Sequence, residues 1–150
     1  MCIGRYESQS QITVGRGWVG IQGPLGMKLS CMGMFAKMQP TEVNEIVLAN
    51  MSRYYRIEDF NELGFHKTIE QSIKIGYGTY DHILLDRTTS GFSVAVLDPS
   101  GYPIAAFATT YITDWLSEEL KQGFLIKLQQ ATSSISTKYF YLINYQYVHC

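Results

Sequence analysis

The chain has 150 residues, a length that suits one domain and lets it bury roughly 70% of the surface that its unfolded form exposes. Its 12 basic and 13 acidic residues give a formal net charge of −1, which excludes the basic field that a nucleic-acid-binding surface needs. Charged residues make up 17%, below the roughly 25% usual in soluble domains, so we expect a partner to cover part of the surface.

The start of the chain has no apolar run flanked by basic residues, and no stretch approaches the roughly 18 apolar residues of a membrane span. Cys2, Cys31 and Cys150 form no close pair, and an odd number of cysteines without a secretory leader indicates free thiols. We therefore expect a cytoplasmic protein that makes no membrane contact.

The first part of the chain predicts a hairpin, a loop and three helices. Short apolar runs around the polar residues 7–11 predict a hairpin, so that the chain would begin inside a strand. The glycines and proline of residues 15–26 predict a loop. Apolar residues at helical spacing predict a helix over 27–38 that Pro40 ends, a second short helix capped by Thr41 and reaching Met51, and a third over 60–75 with Gly76 as its C-cap.

The second part predicts a β-hairpin and one long helix. Strands over 91–97 and 102–110 are joined by Asp98-Pro99-Ser100-Gly101, a sequence that suits a tight turn. An amphipathic helix of about five turns follows Ser117 and ends near Ile135. The aromatic residues 139–147 fit either a strand or a docked tail. Together these elements predict a single α+β domain over 1–150, with a central antiparallel sheet and helices against it.

The chain offers few residues for catalysis, a cofactor or a metal. Residues 15–20 match G-x-G-x-x-G, but the glycine and proline that follow cannot start the helix of a dinucleotide site, which favours a glycine-rich crossing. The three histidines, His66, His82 and His149, fall on different predicted elements without zinc-site spacing. We therefore expect no metal and no cofactor.

Cys31 and Asp81 each allow a functional and a structural interpretation. Cys31 sits among Met27, Met32, Met34 and Met38, and without a nearby base the wall of a core or pocket is favoured over a nucleophile. Asp81 falls between the glycines after the third helix and the following strand, at a sheet edge where ligands often bind.

Several local patterns, in this order, resemble the effector-binding domain of IclR-type transcription regulators, a GAF-like or profilin-like fold. Gly23-Pro24-Leu25 and the small-residue helix after it resemble the family's Pro-Leu-led helix. Ile75-Gly76-Tyr77 followed by Asp81 resembles its Gly-Tyr and acidic motif, and G-F-S-V-A-V-L-D-P-S-G-Y-P-I-A-A over 91–106 resembles its central hairpin. The resemblance covers about residues 1–137 and leaves an aromatic tail over 138–150.

The resemblance implies a ligand pocket on specific positions of this sequence. These are two helix residues, an acidic-motif residue that falls on one of two neighbours, and three hairpin residues: Leu29, Ser30, Tyr80 or Asp81, Gly91, Ala108 and Thr110. The sequence departs from the family pattern at Gly26, at Cys31-Met32 and at Val94-Ala95. Only Ser30, Asp81 and Thr110 keep hydrogen-bonding side chains, which implies a mostly apolar pocket and a larger or more aromatic effector.

The resemblance also implies a non-enzymatic function. A small organic effector, an organic acid or an aromatic metabolite, would shift the packing of paired domains in a homodimer or homotetramer. DNA would be contacted only through an attached winged helix-turn-helix domain ahead of the sensor, for which this sequence has no residues. Two alternatives stay open: a GAF-type free methionine sulfoxide reductase that uses Cys31 with Cys2 or Cys150 as resolving thiol, and a dimerisation domain without a ligand.

Overall fold

The fold is an α+β arrangement of four helices and one antiparallel sheet, seen in a computed structural model that describes residues 1–6, 19–20, 22–58, 60–81 and 89–148. For Tyr80, Asp81 and residues 139–148 the backbone alone is described. The elements are α1 (Leu29–Phe35), α2 (Pro40–Tyr54), α3 (Glu62–Ile75), β1 (Gly78–Asp81), β2 (Thr89–Leu97), β3 (Pro103–Ile112), a 3-10 turn (Thr113–Trp115) and α4 (Glu118–Val148).

The sheet has the strand order β1-β2-β3, with both neighbouring pairs antiparallel. The predicted hairpin is confirmed, and its turn is held by Asp98, whose Oδ1 accepts hydrogen bonds from the backbone N–H groups of Ser100 and Tyr102, both at 2.9 Å. These bonds and the Ser100 hydroxyl lower the pKa of the Asp98 carboxyl. Gly101 has a φ of 85°, a left-handed conformation that glycine adopts without strain.

The sheet lies between α1 on one face and α4 on the other. Successive side chains of a strand point to opposite faces. On one face, the Ser93 hydroxyl donates to the carbonyl oxygen of Leu29 in α1 at 2.6 Å. On the other, Phe92 and Val94 pack with Leu125 of α4 in a small buried cluster. We refer to these as the α1 face and the α4 face.

Helix α1 lies unusually close to the sheet because glycines face each other there. A Cβ built on Gly78 would lie 2.4 Å from the backbone nitrogen of Gly33 and 2.2 Å from Ser93 Oγ. A Cβ on Gly33 would lie 2.7 Å from the same Ser93 oxygen. Contacts under 3 Å do not fit a carbon atom, so a side chain at either position would separate helix and sheet.

The larger core lies on the α1 side and joins the first three helices. Its buried side chains are Met32, Phe35, Met38, Val43, Val47, Tyr54, Phe65 and Ile69. Phe60 and Phe65 pack their rings against Tyr54, with centroids 5.7 and 5.0 Å away. Met32 and Met38, two of the methionines around Cys31, are thus part of the hydrophobic core.

The first two helices differ from prediction at their ends. Helix α1 covers Leu29–Phe35 rather than 27–38. Gln39 is extended because a following proline disfavours the helical conformation, so the chain leaves α1 before it. Pro40 then begins α2 rather than only ending the helix before it, since a first helical position needs no N–H donor. The predicted Thr41 cap is therefore wrong, and α2 continues to Tyr54 instead of Met51.

The other two helices keep their predicted places with new boundaries. Helix α3 begins at Glu62 after Asn61, whose side chain accepts a hydrogen bond from the N–H of Gly64, and it ends at Gly76 with a φ of 80°, as predicted. Helix α4 runs through Glu118–Val148 and includes the aromatic segment left open between strand and docked tail. That segment contains neither glycine nor proline to stop a helix.

The structure contradicts one N-terminal prediction and adds one strand. Residues 1–6 form no strand, although the N–H of Gly20 donates to the Cys2 carbonyl at 2.8 Å. The rest of the predicted hairpin lies in residues 7–18, outside the described residues. Strand β1 was not predicted, and Asp81 is its last residue rather than part of a loop. Four residues containing a glycine are too short for a recognisable alternation.

We predict that Gly78→Ala lowers the free energy of unfolding by about 2 kcal/mol or more, because backbone atoms of α1 must move to admit the methyl group. Gly123→Ala is the matched control: its Cβ meets nothing within 4 Å, and alanine is favoured over glycine in a helix by about 1 kcal/mol. Urea denaturation of both variants measures the difference. Equal stability of the two variants would contradict the close α1–sheet contact.

Candidate functional site

Four of the positions implied by the resemblance share the α1 face of the sheet. In the strand register Tyr80 pairs with Gly91, Gly91 pairs with Thr110, and Ala108 pairs with Ser93 in the next row of the same face. Paired residues of antiparallel strands lie on the same face. The structure therefore brings Tyr80, Gly91, Thr110 and Ala108 into two neighbouring rows.

Asp81 occupies a different row from Tyr80. It pairs with Ser90, whose hydroxyl is hydrogen-bonded to that of Thr113 at 2.8 Å, and this row alternates onto the α4 face. The resemblance placed the acidic motif on either Tyr80 or Asp81, and of these two only Tyr80 lies in the same row as Gly91 and Thr110. The role of either residue in binding stays a prediction.

Leu29 and Ser30 form the first turn of α1, above this part of the sheet. A Cβ on Gly91 would lie 2.5 Å from the Leu29 side chain and 2.3 Å from the carbonyl oxygen of Thr109, so Gly91 gives Leu29 its space. Both helix residues are half-buried, whereas Ala108 and Thr110 are exposed. The α1-face site, defined as Leu29, Ser30, Gly91, Ala108 and Thr110, is a largely apolar surface with the hydroxyls of Ser30 and Thr110 beside it.

The segment that enters α1 is held to the core by Tyr54. This tyrosine is fully buried, and its hydroxyl donates a hydrogen bond to the carbonyl oxygen of Leu25. Gly26 has a φ of 103°, and a Cβ there would lie 2.7 Å from the Tyr54 oxygen. The departure from the family pattern at Gly26 thus has a steric cause, since no side chain fits beneath this tyrosine.

Cys31 is buried, with 8% of its surface exposed. Cys2 is also a free thiol, and its Sγ donates to the Gly4 carbonyl, while Cys150 lies outside the described residues. A thiol that attacks a substrate must be accessible and deprotonated. The burial of Cys31 in α1 therefore favours the wall interpretation over the nucleophile.

Within the described ranges, no group of three or more His, Cys, Asp or Glu side chains could hold a metal ion. His66 lies on the exposed side of α3, with its Nε2 3.9 Å from Glu62 Oε1. His82 and His149 lie outside the described residues. In the same part of the chain, no helix has the length and apolar character to cross a membrane.

The α4 face holds a cavity of about 170 Å³ that the sequence did not indicate. The sheet contributes Thr79, Phe92 and Tyr111, and the first turns of α4 contribute Glu118, Lys121 and Leu125. Lys121 donates to Glu118 at 2.6 Å and lies 5.8 Å from the centre of the Tyr111 ring. In the sequence, the one sign of this cavity is that the polar start of the last helix must also face the sheet.

A second, more apolar groove runs between β3 and the middle of α4. It has a volume of about 220 Å³ and is lined by Thr109, Phe124, Lys127, Leu128 and Ala131. Phe107 and Phe124 expose nearly half of their surface beside it. Aromatic rings exposed in one patch are typical of interaction surfaces.

The fold matches solved C-terminal domains of transcriptional regulators. The C-terminal domain of the Escherichia coli regulator KdgR matches with a TM-score of 0.67 and 22% identity, covering 81% of this chain and 74% of that one. A C-terminal domain of a putative regulator from Vibrio cholerae matches with a TM-score of 0.64 and 22% identity, covering 89% and 76%. The predicted resemblance is confirmed for the fold: the chain has the fold of IclR-type C-terminal domains.

A longer IclR-type regulator, from Alicyclobacillus acidocaldarius, matches with a TM-score of 0.71 and 14% identity over 91% of this chain. The chain spans 54% of the length of that regulator. No family model and no curated protein matches the sequence.

We predict that Tyr54→Phe destabilises the protein by about 1–3 kcal/mol, because the buried Leu25 carbonyl loses its donor. Burial raises the pKa of Tyr54 to about 12 from 10.0. Because the pKa of Tyr54 is higher in the folded than in the unfolded state, the protonated hydroxyl contributes its full stability below pH 10.0. This contribution is lost as the pH rises towards about 12. Denaturation between pH 7 and pH 11 measures it, with the 90% exposed Tyr6 changed to Phe as control. A Tyr54→Phe curve parallel to that of the unmodified protein would contradict the raised pKa, and equal stability of the two proteins at pH 7 would contradict the hydrogen bond.

Proposed function

We propose that the chain is the effector-sensing domain of an IclR-type transcription regulator and that it binds a small organic molecule at the α1-face site. The observation that carries the proposal is the fold, which the chain shares with two C-terminal domains of transcriptional regulators over 81% and 89% of its length and with a longer IclR-type regulator over 91%. Because the identities are 22% or lower, the ligand has to be argued from this chain's own residues.

The chemistry of the α1-face site supports an organic acid or an aromatic metabolite as effector. Leu29 and Ala108 offer apolar surface, while Ser30 and Thr110 offer hydroxyls that donate to a carboxylate or phenol. Neither a basic nor an acidic side chain stands among these five residues. The effector is therefore held mainly by apolar contact and oriented by the two hydroxyls.

A ligand at this site contacts the element that links both faces of the sheet. Leu29 accepts the hydrogen bond from Ser93, and the neighbouring Phe92 packs on the opposite face with Leu125 of α4. A movement of α1 that follows ligand binding thus reaches α4 through strand β2. The ligand shifts the domain between two packings only by the difference between its affinities for them.

DNA binding, in this proposal, belongs to an attached helix-turn-helix domain rather than to the sensor. The chain carries a net charge of −1, whereas proteins that neutralise DNA phosphates directly do so with an excess of Lys and Arg. It spans about half of the full-length regulator that it matches, as a sensor half would. Such a protein acts in the cytoplasm and contains no catalytic group.

The effector proposal is tested by thermal-shift screening of the chain against organic acids and aromatic acids. A specific ligand at 100 times its dissociation constant adds about 2.7 kcal/mol of stability. We predict that Thr110→Val weakens binding of the best compound by about 2- to 10-fold, the effect of one lost hydrogen bond. Thr109→Val is the matched control, because Thr109 lies next in the chain on the opposite face. The site is rejected if no compound stabilises the protein or if both variants weaken binding equally.

Self-association is supported by a separate observation, the apolar surface along β3 and α4. Phe107 on β3 and Phe124 on α4 expose 46% and 48% of their surface. A homodimer or homotetramer would cover them, and a purely structural dimerisation domain would show the same surface without binding any effector.

We predict that sedimentation velocity finds a dimer or tetramer at micromolar concentration and that Phe124→Glu shifts it towards monomer, because a buried carboxylate opposes association. Leu63→Glu, on the outer side of α3, is the control, since Leu63 is 66% exposed away from β3 and α4. A chain that stays monomeric at high concentration would contradict the proposed assembly.

A further inference from the structure

The cavity between the start of α4 and the sheet is built from groups that the effector site does not use. The cavity lies on the α4 face of the sheet, whereas Leu29 lies on the α1 face. Strand β2 stands between them, and the backbone of Gly91 borders both the cavity and the Leu29 side chain. Its volume of about 170 Å³ is below the roughly 300–1,000 Å³ of drug-sized sites. The occupant must therefore be a small molecule.

Polar side chains converge on this cavity without protein partners for their hydrogen bonds. Tyr77, Thr79 and Gln122 line it, and within the described residues their side chains make no hydrogen bond; only the backbone N–H of Thr79 donates, to Ser72 Oγ at 3.3 Å. Tyr77 and Thr79 are half-buried residues, whereas Gln122 is exposed. Hydroxyl and amide groups in such a place are satisfied by water or by a ligand.

The two charged side chains of the cavity lie at different depths. The Lys121 side chain is 22% exposed and lies inside, whereas the Glu118 carboxylate is 81% exposed and lies at the rim. A lysine ammonium carries three N–H donors, so it can serve a ligand carboxylate beside Glu118. Phe92 and Leu125 also line the cavity but are only 5% and 6% exposed, so that its accessible lining is mostly polar.

We propose that this cavity is a second ligand site, which binds a free amino acid with a small apolar side chain. The carboxylate of the amino acid contacts Lys121 and the hydroxyls of Tyr77 and Thr79. Its ammonium contacts Glu118 at the rim, and its small side chain covers the limited exposed area of Phe92 and Leu125. A zwitterion suits the existing Lys121–Glu118 pair because its carboxylate and its ammonium give each of these two charges a second partner of opposite sign.

The test is an NMR titration of the 15N-labelled full chain with L-valine and two analogues. N-acetyl-L-valine lacks the ammonium and L-valinamide lacks the carboxylate. L-valine is expected to shift the amide signals of Thr79, Phe92 and Lys121 saturably. Each analogue is expected to bind at least about tenfold more weakly than L-valine.

Three variants separate the site from a general charge effect. Lys121→Met and Glu118→Gln are each expected to weaken L-valine binding by about tenfold, the effect of one charge-assisted hydrogen bond. Lys138→Met removes the same charge from an exposed position of the same helix outside the cavity and should leave binding unchanged. If Lys121→Met disturbs the fold, Glu118→Gln decides, since that carboxylate is 81% exposed.

Three results would overturn the proposal. The first is no saturation up to about 10 mM L-valine, a concentration at which even a millimolar site is largely filled. The second is an analogue that binds as tightly as L-valine. The third is a set of shifts at Leu29 and Ser30 instead of the cavity, which would place the amino acid in the α1-face site and leave the effector proposal standing.

Discussion

The close seating of α1 on the sheet is the constraint on which the rest of the structure depends. Gly33 and Gly78 leave room for the Ser93 hydroxyl to reach the Leu29 carbonyl at 2.6 Å. This fixes the height of the first turn of α1 above β2 and makes α1 the bridge between the sheet and the core of α2 and α3. Close packing transmits small displacements because the interior is dense and has few voids. A ligand that touched Leu29 would therefore contact a closely packed junction between α1 and the sheet.

Strand β2 gives the two faces of the molecule different chemistry. Its α1 face carries the small residues Gly91 and Ser93, which admit a helix and leave an apolar surface near two hydroxyls. Its α4 face carries Phe92 and Val94, which build a small core with Leu125 and one wall of a polar cavity. Alternation along a single buried strand thus separates the proposed effector site from the proposed amino-acid site, with one layer of backbone between them.

The sequence predicted much of the fold because several of its signals are local. Gly76 ends α3 in a left-handed conformation, and Asp98 and Gly101 shape the hairpin turn, as local turn chemistry requires. The helix boundaries were less accurate: Pro40 begins α2 instead of following a longer α1. The candidate site was placed from the resemblance, and its positions share a face because the hairpin register was set by the predicted turn. The cavity on the α4 face has no such local signal.

By itself the sequence determined the fold class, the order of the four helices around the central hairpin and the net charge of −1, since spacing and turn residues act over a few neighbours. Only the tertiary structure decided that β1 forms a strand, that Tyr80 rather than Asp81 stands in the row of Gly91, and that Gly26 fits beneath Tyr54. It also decided which polar residues of α4 meet the sheet around a cavity. Strand pairing and helix packing join residues far apart in the chain, and a one-residue change of register moves every side chain to the other face.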